Sequence, residues 1–250
     1  MKNIELIRTN KIHFIKFAKG ILPPIVWQSL YKLLVVRNID QGDLYKPFYS
    51  PWLENDFISE FKAIKPYTLC SQESCWVLSN MLKHALNVEG DIFEAGVFQG
   101  GTALLLKNIL LNHGERHLYL FDSFEGMKKV DIQKDRHQKG DFQDVSLEMV
   151  QSVVGLYDFI SYRKGWIPET FKGLEENIFC FAHIDLDLHD SILNCCTYIY
   201  PRISKGGVMI SDDYGYPSCP GARHAIDQFF CDKPERPLVL QTGQALVHKL

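Results

Sequence analysis

The sequence predicts an α/β fold: a doubly wound, mostly parallel, seven-stranded sheet preceded by an N-terminal helical extension. Three observations carry this. From Ser71 onward, short apolar runs alternate with stretches of helical periodicity, the pattern of a parallel sheet covered on both faces. A glycine-rich turn, EAGVFQGG, joins the first of those runs to the next helix. The final segment, PLVLQTGQALVHKL, reads as two short strands around Thr242-Gly243, a hairpin at the end of the sheet. With 250 residues and 46% hydrophobic content, one large α/β domain fits better than two small ones. We divide the chain into an extension, residues 1–66, and a main domain, residues 67–250.

The elements follow in order. ILPPIVWQSLYKLLVV reads as a helix started by Pro23 and Pro24. Its polar residues Gln28, Ser29 and Lys32 lie opposite Trp27, Leu30, Tyr31 and Leu34. Docking on the main domain or on a second subunit is preferred for it over a basic membrane-surface anchor. Tyr45 to Pro51 reads as a loop. SQESCWVLSNMLKHALN places Leu78, Met81, Leu82, Ala85 and Leu86 at helical spacing, with Ser71 as N-cap. Then come the strand IFEAG, a helix over 102–111, the strand HLYLFD, a helix over 147–154 and the strand FISYRKG. A short helical stretch, the strand IFCFAHID, a helix over 191–200, the strand GGVMISDD and a helix over 222–230 complete the alternation. The charged run GMKKVDIQKDRHQKGDFQD, residues 126–144, lacks periodicity, and a loop that long in a compact domain reads as a lid over a substrate.

Composition narrows the class. A formal net charge of -3 makes no case for nucleic-acid binding. Residues 1–37 nevertheless carry seven Lys or Arg against Glu5 alone. The seven cysteines form no C-x-x-C pair, and Cys195 and Cys196 are adjacent, so reduced thiols are expected. No apolar run approaches the roughly 18 residues of a membrane span, and no signal peptide is evident. A cytoplasmic protein, and a homo-oligomer, is expected.

The ends of the strands carry the candidate chemistry. In an open α/β sheet, ligands bind outside the carboxyl ends of the strands. The first strand ends at Glu94-Ala95-Gly96, and the next helix starts after Gly100-Gly101-Thr102. Glycines there permit positive φ and close approach of a ligand, and the helix N-terminus offers N–H groups to a carboxylate. The spacing G-x-x-x-G-G, with an acid two residues earlier, is not the dinucleotide fingerprint G-x-G-x-x-G. The second strand ends in Phe121-Asp122, where an acid can accept from ribose hydroxyls. HIDLDLHDS supplies Asp185 and Asp187, and ISDDYG supplies Asp212 and Asp213, on the same rim. Converging carboxylates repel unless protons or a cation compensate, and an all-oxygen set suits Mg²⁺, Ca²⁺ or Mn²⁺. Asp190 reads as a helix cap and His183 as a core histidine. His189 can face the substrate or a turn. Arg223 and His224 fall on the polar face of their helix, close to that rim.

These motifs resemble the macrocin O-methyltransferase family. The matching stretches are GDIFEAGVFQGGTA, YLFDSFEGM, GWIPETF, HIDLDLHDS, ISDDYGYP and PGARHAIDQF, in the family's order over roughly residues 66–231. The resemblance implies a class I S-adenosylmethionine (SAM) dependent methyltransferase. It implies SAM at Glu94, Gly96, Gly100, Gly101 and Thr102, with Asp122 and Ser123 near the ribose and Gly165 and Trp166 near the adenine. It also implies a divalent metal, usually Mg²⁺, on Asp185, Asp212 and Asp213. Asp185 is preferred to Asp187 as inner ligand because it lies nearer the strand end. The family commonly has Tyr where this chain has His189, which leaves the acceptor side the less defined.

The expected chemistry is Mg²⁺-dependent O-methylation of a hydroxyl on a sugar or glycosylated small molecule. A hydroxyl with a pKa of roughly 16 needs a cation to lower it and a base to take its proton. Asp185, Asp187 and His189 are the candidate catalytic residues, with His224 a further candidate base. A small aromatic diol would meet the same chemistry. DLDLHDS could also be the D-x-D of a phosphatase or of a metal-dependent glycosyltransferase. A phosphatase of the haloacid dehalogenase type would put that motif far upstream of its final acidic pair, whereas here only 27 positions separate Asp185 from Asp212. A glycosyltransferase would leave the Glu94–Thr102 loop unexplained. A binding protein with a degenerate site is a further alternative, which the intact loop and tandem aspartates oppose.

Overall fold

The Ser71 side chain accepts from the Ser74 N–H and so caps the helix that leads into the sheet. The computed structural model describes residues 50–113 and 116–250, together with Val26 and Ser29. The helix expected over 21–36 lies outside the described residues apart from those two, which are helical and exposed. The described helices are α1 (Asn55–Ile64), α2 (Gln72–Ala85), α3 (Gly101–His113), α4 (Leu147–Val154), α5 (His189–Ile199) and α6 (Pro220–Phe230). The strands are β1 (Asp91–Ala95), β2 (Leu118–Asp122), β3 (Ile160–Lys164), β4 (Phe179–Ile184), β5 (Ile203–Ser211), β6 (Leu238–Val239) and β7 (Ala245–His248).

The seven strands run in the order β3-β2-β1-β4-β5-β7-β6. The first five are mutually parallel, and β7 pairs antiparallel with both β5 and β6. Strand order therefore reverses between β1 and β4, which opens a crevice at their carboxyl ends. Register sets what meets there: Glu94 pairs with His183, Ala95 with Ile184, and Ile184 with Ser211.

Each face of the sheet buries its own core. Ile92, Leu118, Leu120, Phe181 and Ile210 pack with Leu78 and Leu82 of α2, Leu105 and Leu106 of α3, and Val150 and Val154 of α4. Phe93, Phe121, Phe179, Ala182 and Met209 pack with Ile192 and Cys196 of α5 and Ala222 and Ile226 of α6. A β1 with both faces covered is why IFEA reads as a continuous apolar run broken only by its glutamate. α3 is buried nearly all round, so its sequence carries little amphipathic signal. α1 adds Phe57 and Ile64 to the first core, each worth about 1.5–3 kcal/mol in burial. All seven cysteines are unpaired thiols. Among the described residues no helix is long and apolar enough to cross a membrane.

Candidate active site

The turn after β1 is shaped first by packing. Gly96 has φ +86°, and a Cβ there would lie 1.6 Å from the carbonyl oxygen of Asp185. The tips of β1 and β4 touch, so only a residue without a side chain fits. A Cβ on Gly101 would lie 2.7 Å from Thr68 Cβ, and Gly100 (φ +92°) faces Val154 and Val150. Packing alone thus requires these glycines, whatever they do for a ligand. A cleft of about 320 Å³ opens above them, lined by Gly96, Val97, Phe98 and Thr102 of this turn. Glu94, Gly100 and Gly101 lie behind that wall, and Glu94 is fully buried.

Asp122, at the tip of β2, clamps the turn. Its Oδ2 accepts from the Val97 N–H at 2.8 Å and the Phe98 N–H at 3.0 Å, while Oδ1 accepts from the Phe124 N–H at 2.7 Å. A carboxylate offers about four acceptor positions, and beyond these three N–H donors only the Ser123 hydroxyl, at 3.5 Å, approaches it. Ser123 donates to the Gly126 carbonyl at 3.1 Å. The Gly165 N–H donates to the Asp122 carbonyl at 2.9 Å, and Gly165 and Trp166 line the cleft beside Asp122 and Ser123.

Across the crevice lie the acids. The Asp212 N–H donates to the Ile184 carbonyl at 2.9 Å, which sets Asp212 beside Asp185. Carboxylate oxygens of Asp185 and Asp212 lie within 4.8 Å of each other, and Cys70 Sγ is 3.7 Å from Oδ2 of both. Burial raises the pKa of Asp185 well above the carboxylate range, and Asp213 and Asp212 raise it further. Asp213 is raised for the same reason, by burial and then by Asp187 and Asp212. A dication would relieve this repulsion, and the oxygen donors Asp185, Asp212 and Asp213 suit an oxygen-seeking ion. Asp212 Oδ1 also accepts from Gln244 Nε2 at 2.7 Å. Nothing in the sequence of the β6–β7 turn marks Gln244, which is fully buried. Cys70 likewise carried no sequence signal beyond standing just before a helix cap.

Asp187 points elsewhere. It adopts φ +57°, its N–H donates to Asp213 Oδ2 at 2.8 Å, and its Oδ1 lies 3.3 Å from His137 Nε2. The hydrogen bond to Asp187, working against burial, raises His137 to a pKa of about 9. His137 belongs to the segment 126–144, which has turns but no helix or strand. That segment is tied to the body of the domain. Asp135 Oδ1 accepts from the His189 N–H at 3.0 Å, Lys134 pairs with Asp190 at 2.7 Å, and Arg136 donates to the Pro217 carbonyl at 2.8 Å. Gly126, Met127, His137 and Phe142 of the segment line the cleft.

The histidines divide. His183 is buried and bonded to Glu94, as a core histidine should be. His189 is buried in the first turn of α5 against Asp190 at 2.7 Å and does not line the cleft. Arg223 and His224 are exposed on α6, away from the lining.

Residues 67–236 match the family described as Macrocin-O-methyltransferase (TylF). The chain belongs to the macrocin O-methyltransferase family. An 8-demethyl-8-(2,3-dimethoxy-alpha-L-rhamnosyl)-tetracenomycin-C 4'-O-methyltransferase of Streptomyces olivaceus is 31% identical over 150 residues, 55% of this chain and 58% of that protein. A Mycinamicin III 3''-O-methyltransferase of Micromonospora griseorubida is 30% identical over 166 residues, 58% of this chain and 65% of that protein. The chain therefore spans less than two thirds of the length of these curated relatives. Among solved structures, the O-methyltransferase NovP superposes with a TM-score of 0.68 at 25% identity, covering 73% of this chain and 82% of its own. The shared region of the macrocin O-methyltransferase family begins beside α2 and ends after α6, so it contains both the β1 turn and the acids.

Proposed function

We propose that this chain is a SAM-dependent O-methyltransferase that methylates a hydroxyl of a sugar or glycosylated small molecule with the help of Mg²⁺. One observation carries the reading. Asp185, Asp212 and Asp213 share one cleft with the Asp122-clamped turn, so an oxygen-rich cation site and a nucleotide-type pocket face each other. Family membership supports the reaction class, and the names of the two relatives support a sugar hydroxyl as acceptor. The cleft-lining residues Gly96, Thr102, Asp122, Ser123, Gly165 and Trp166 are assigned to SAM, with Glu94, Gly100 and Gly101 supporting the turn from behind. SAM supplies an electrophilic methyl group. Asp185, Asp212 and Asp213 would hold the cation, which when bound lowers the pKa of an acceptor hydroxyl.

The chain's own residues then do the rest. Asp187 faces the cleft from the β4 tip and is assigned the acceptor's proton, its backbone held by Asp213. His189, walled off in α5, is the weaker candidate for that role. Segment 126–144 excludes water while the acceptor is held near the methyl donor. An aromatic diol remains the alternative acceptor, since two neighbouring hydroxyls of either kind would meet the same acids.

Calorimetry with S-adenosylhomocysteine tests the cofactor half, with micromolar-range binding expected. No binding would reject the methyltransferase reading. Labelled SAM offered with a panel of glycosides and aromatic diols, with Mg²⁺ or with chelator, tests the other half. Equal turnover in excess chelator would reject the metal. The reading also includes a homo-oligomer with residues 1–66 as a docking element, to be checked by light scattering on the full chain and on a chain lacking those residues.

A further inference from the structure

We propose that His137, Asp187 and Cys219 form a second cation site, selective for a thiophilic divalent ion of the zinc type, where segment 126–144 meets the β4 tip. Three observations outside the oxygen cluster lead there. His137 Nε2 lies 3.3 Å from Asp187 Oδ1 and 3.5 Å from Cys219 Sγ, and Cys219 Sγ lies 3.3 Å from Asp187 Oδ1. Tetrahedral coordination with bonds of about 2.0–2.3 Å sets neighbouring ligand atoms about 3.3–3.6 Å apart. The three atoms already stand at the corners such an ion requires.

The surroundings match a built site. Asp141 Oδ2 accepts from His137 Nδ1 at 3.0 Å and from the Gln138 N–H at 2.9 Å. A carboxylate on the far nitrogen fixes the ring orientation and strengthens the near nitrogen as a ligand. Cys219 is 3% exposed and sits at the start of α6, and Asp187 is held by Asp213. All three donors line the cleft, so a fourth position faces it. The donor set also separates this site from the other. Imidazole and thiol together suit zinc-type ions, whereas the group at Asp185 and Asp212 joins two carboxylates to the Cys70 thiol.

Occupancy would join segment 126–144 to the β4 and α6 ends and engage the oxygen of Asp187. Zinc should therefore suppress Mg²⁺-supported methyl transfer. That consequence rests on the proposed function, whereas the binding itself does not.

The experiment uses the full chain, stripped with chelator and kept free of Mg²⁺, and titrated with Co²⁺ as a spectroscopic stand-in for Zn²⁺. A sulfur-to-cobalt charge-transfer band with tetrahedral visible bands is expected, bleached by equimolar Zn²⁺. Cys219→Ser should lose the charge-transfer band. His137→Gln should bind at least about tenfold more weakly, and Asp141→Asn about 10–100-fold more weakly. Cys70→Ser, which changes the thiol beside the oxygen cluster, should keep the band. No band in the parent chain, a band surviving Cys219→Ser, or a band lost in Cys70→Ser would overturn the proposal. A parent chain without the band has three atoms joined only by hydrogen bonds. Circular dichroism and urea unfolding show that each variant is folded, and calorimetry with S-adenosylhomocysteine on the parent chain keeps this result distinct from failure of the methyltransferase reading.

Discussion

His183 donates from Nδ1 to Glu94 Oε1 at 2.9 Å, in a pair with no solvent exposure. They are cross-strand partners on β4 and β1, and His183 Nε2 lies 3.7 Å from Asp212 Oδ1. Burial lowers the pKa of His183, but Asp212 and Glu94 outweigh it and hold the ring protonated. Glu94→Ala would leave that charge half-compensated and is expected to cost about 3–5 kcal/mol. Glu94→Gln keeps an acceptor for Nδ1 and should cost less. Urea unfolding of both variants checks this, and equal losses would mean that the charge of Glu94 is unimportant.

Gly96 and Gly173 make a matched contrast. Both have φ near +85°, but a Cβ on Gly173 meets nothing within 4 Å, whereas on Gly96 it enters the Asp185 carbonyl. Gly173→Ala should cost about 1–2 kcal/mol, the strain of left-handed backbone alone. Gly96→Ala should exceed about 4 kcal/mol and abolish S-adenosylhomocysteine binding, because the β1 and β4 tips must part. Denaturant midpoints and calorimetry on the pair decide it. Similar losses at the two positions would refute the close approach.

Glu235 gives the fold a defined acid sensitivity. It accepts from Tyr200 Oη at 2.6 Å, from Lys249 Nζ at 3.0 Å and from the Leu250 N–H at 3.1 Å, which ties the end of β7 to the chain after α5. Burial pushes its pKa up, but these donors outweigh that and bring it to about 2. A depressed folded pKa adds stability that is complete above the unfolded value of 4.5 and lost as pH falls toward 2. Glu235→Gln should cost about 1–3 kcal/mol at pH 7, with the gap to the parent shrinking below about pH 4.5. Urea midpoints across that range test it, and a gap that is constant with pH would sink the assignment.

How much of this was legible in the sequence depends on the kind of signal. The helix over 147–154 and the cap at Ser71 are local matters of period and hydroxyl placement, and they stand where the sequence put them. β5 starts at Ile203, earlier than GGVM suggests, because the strand runs through the mixed ISKGG stretch before it becomes fully buried. Asp122, Asp185, Asp212 and Asp213 could be placed on one rim because strand ends are predictable in a parallel sheet. Their partners could not. Gln244, Cys70 and Cys219 reach the rim from a hairpin turn, the residue before a helix cap and the start of α6. Only tertiary packing brings such distant positions together, and no period records it. Gly96 was legible as a glycine needing positive φ, but its neighbour, the Asp185 carbonyl, was not.

Asp122→Asn tests whether the turn is held by charge and by both oxygens. An amide has one acceptor oxygen and cannot serve Val97, Phe98 and Phe124 as the carboxylate does. Each lost hydrogen bond to a charged group is worth about 1.5–3 kcal/mol. S-adenosylhomocysteine affinity should fall by at least about tenfold, with amide exchange at Val97 and Phe98 speeding up. Unchanged exchange with weaker binding would instead assign Asp122 to the ligand alone.

Under the proposed function, Asp212 and Gln244 would separate holding a cation from orienting its holder. Asp212→Ala removes an oxygen donor and should abolish Mg²⁺-dependent turnover while leaving S-adenosylhomocysteine affinity within a few-fold. Gln244→Ala leaves every carboxylate in place but removes the 2.7 Å hydrogen bond that sets Asp212, along with the bonds to Thr242 and the Ser74 carbonyl, so its effect on turnover should fall on metal affinity. Loss of such an orienting partner typically costs about 10–100-fold. The Mg²⁺ concentration for half-maximal turnover should rise by that factor, with turnover recovering at saturating Mg²⁺. Turnover measured across Mg²⁺ concentration for both variants gives the answer. A Gln244→Ala enzyme whose maximal rate falls without any change in Mg²⁺ requirement would show that the hairpin supports the fold and does not position Asp212.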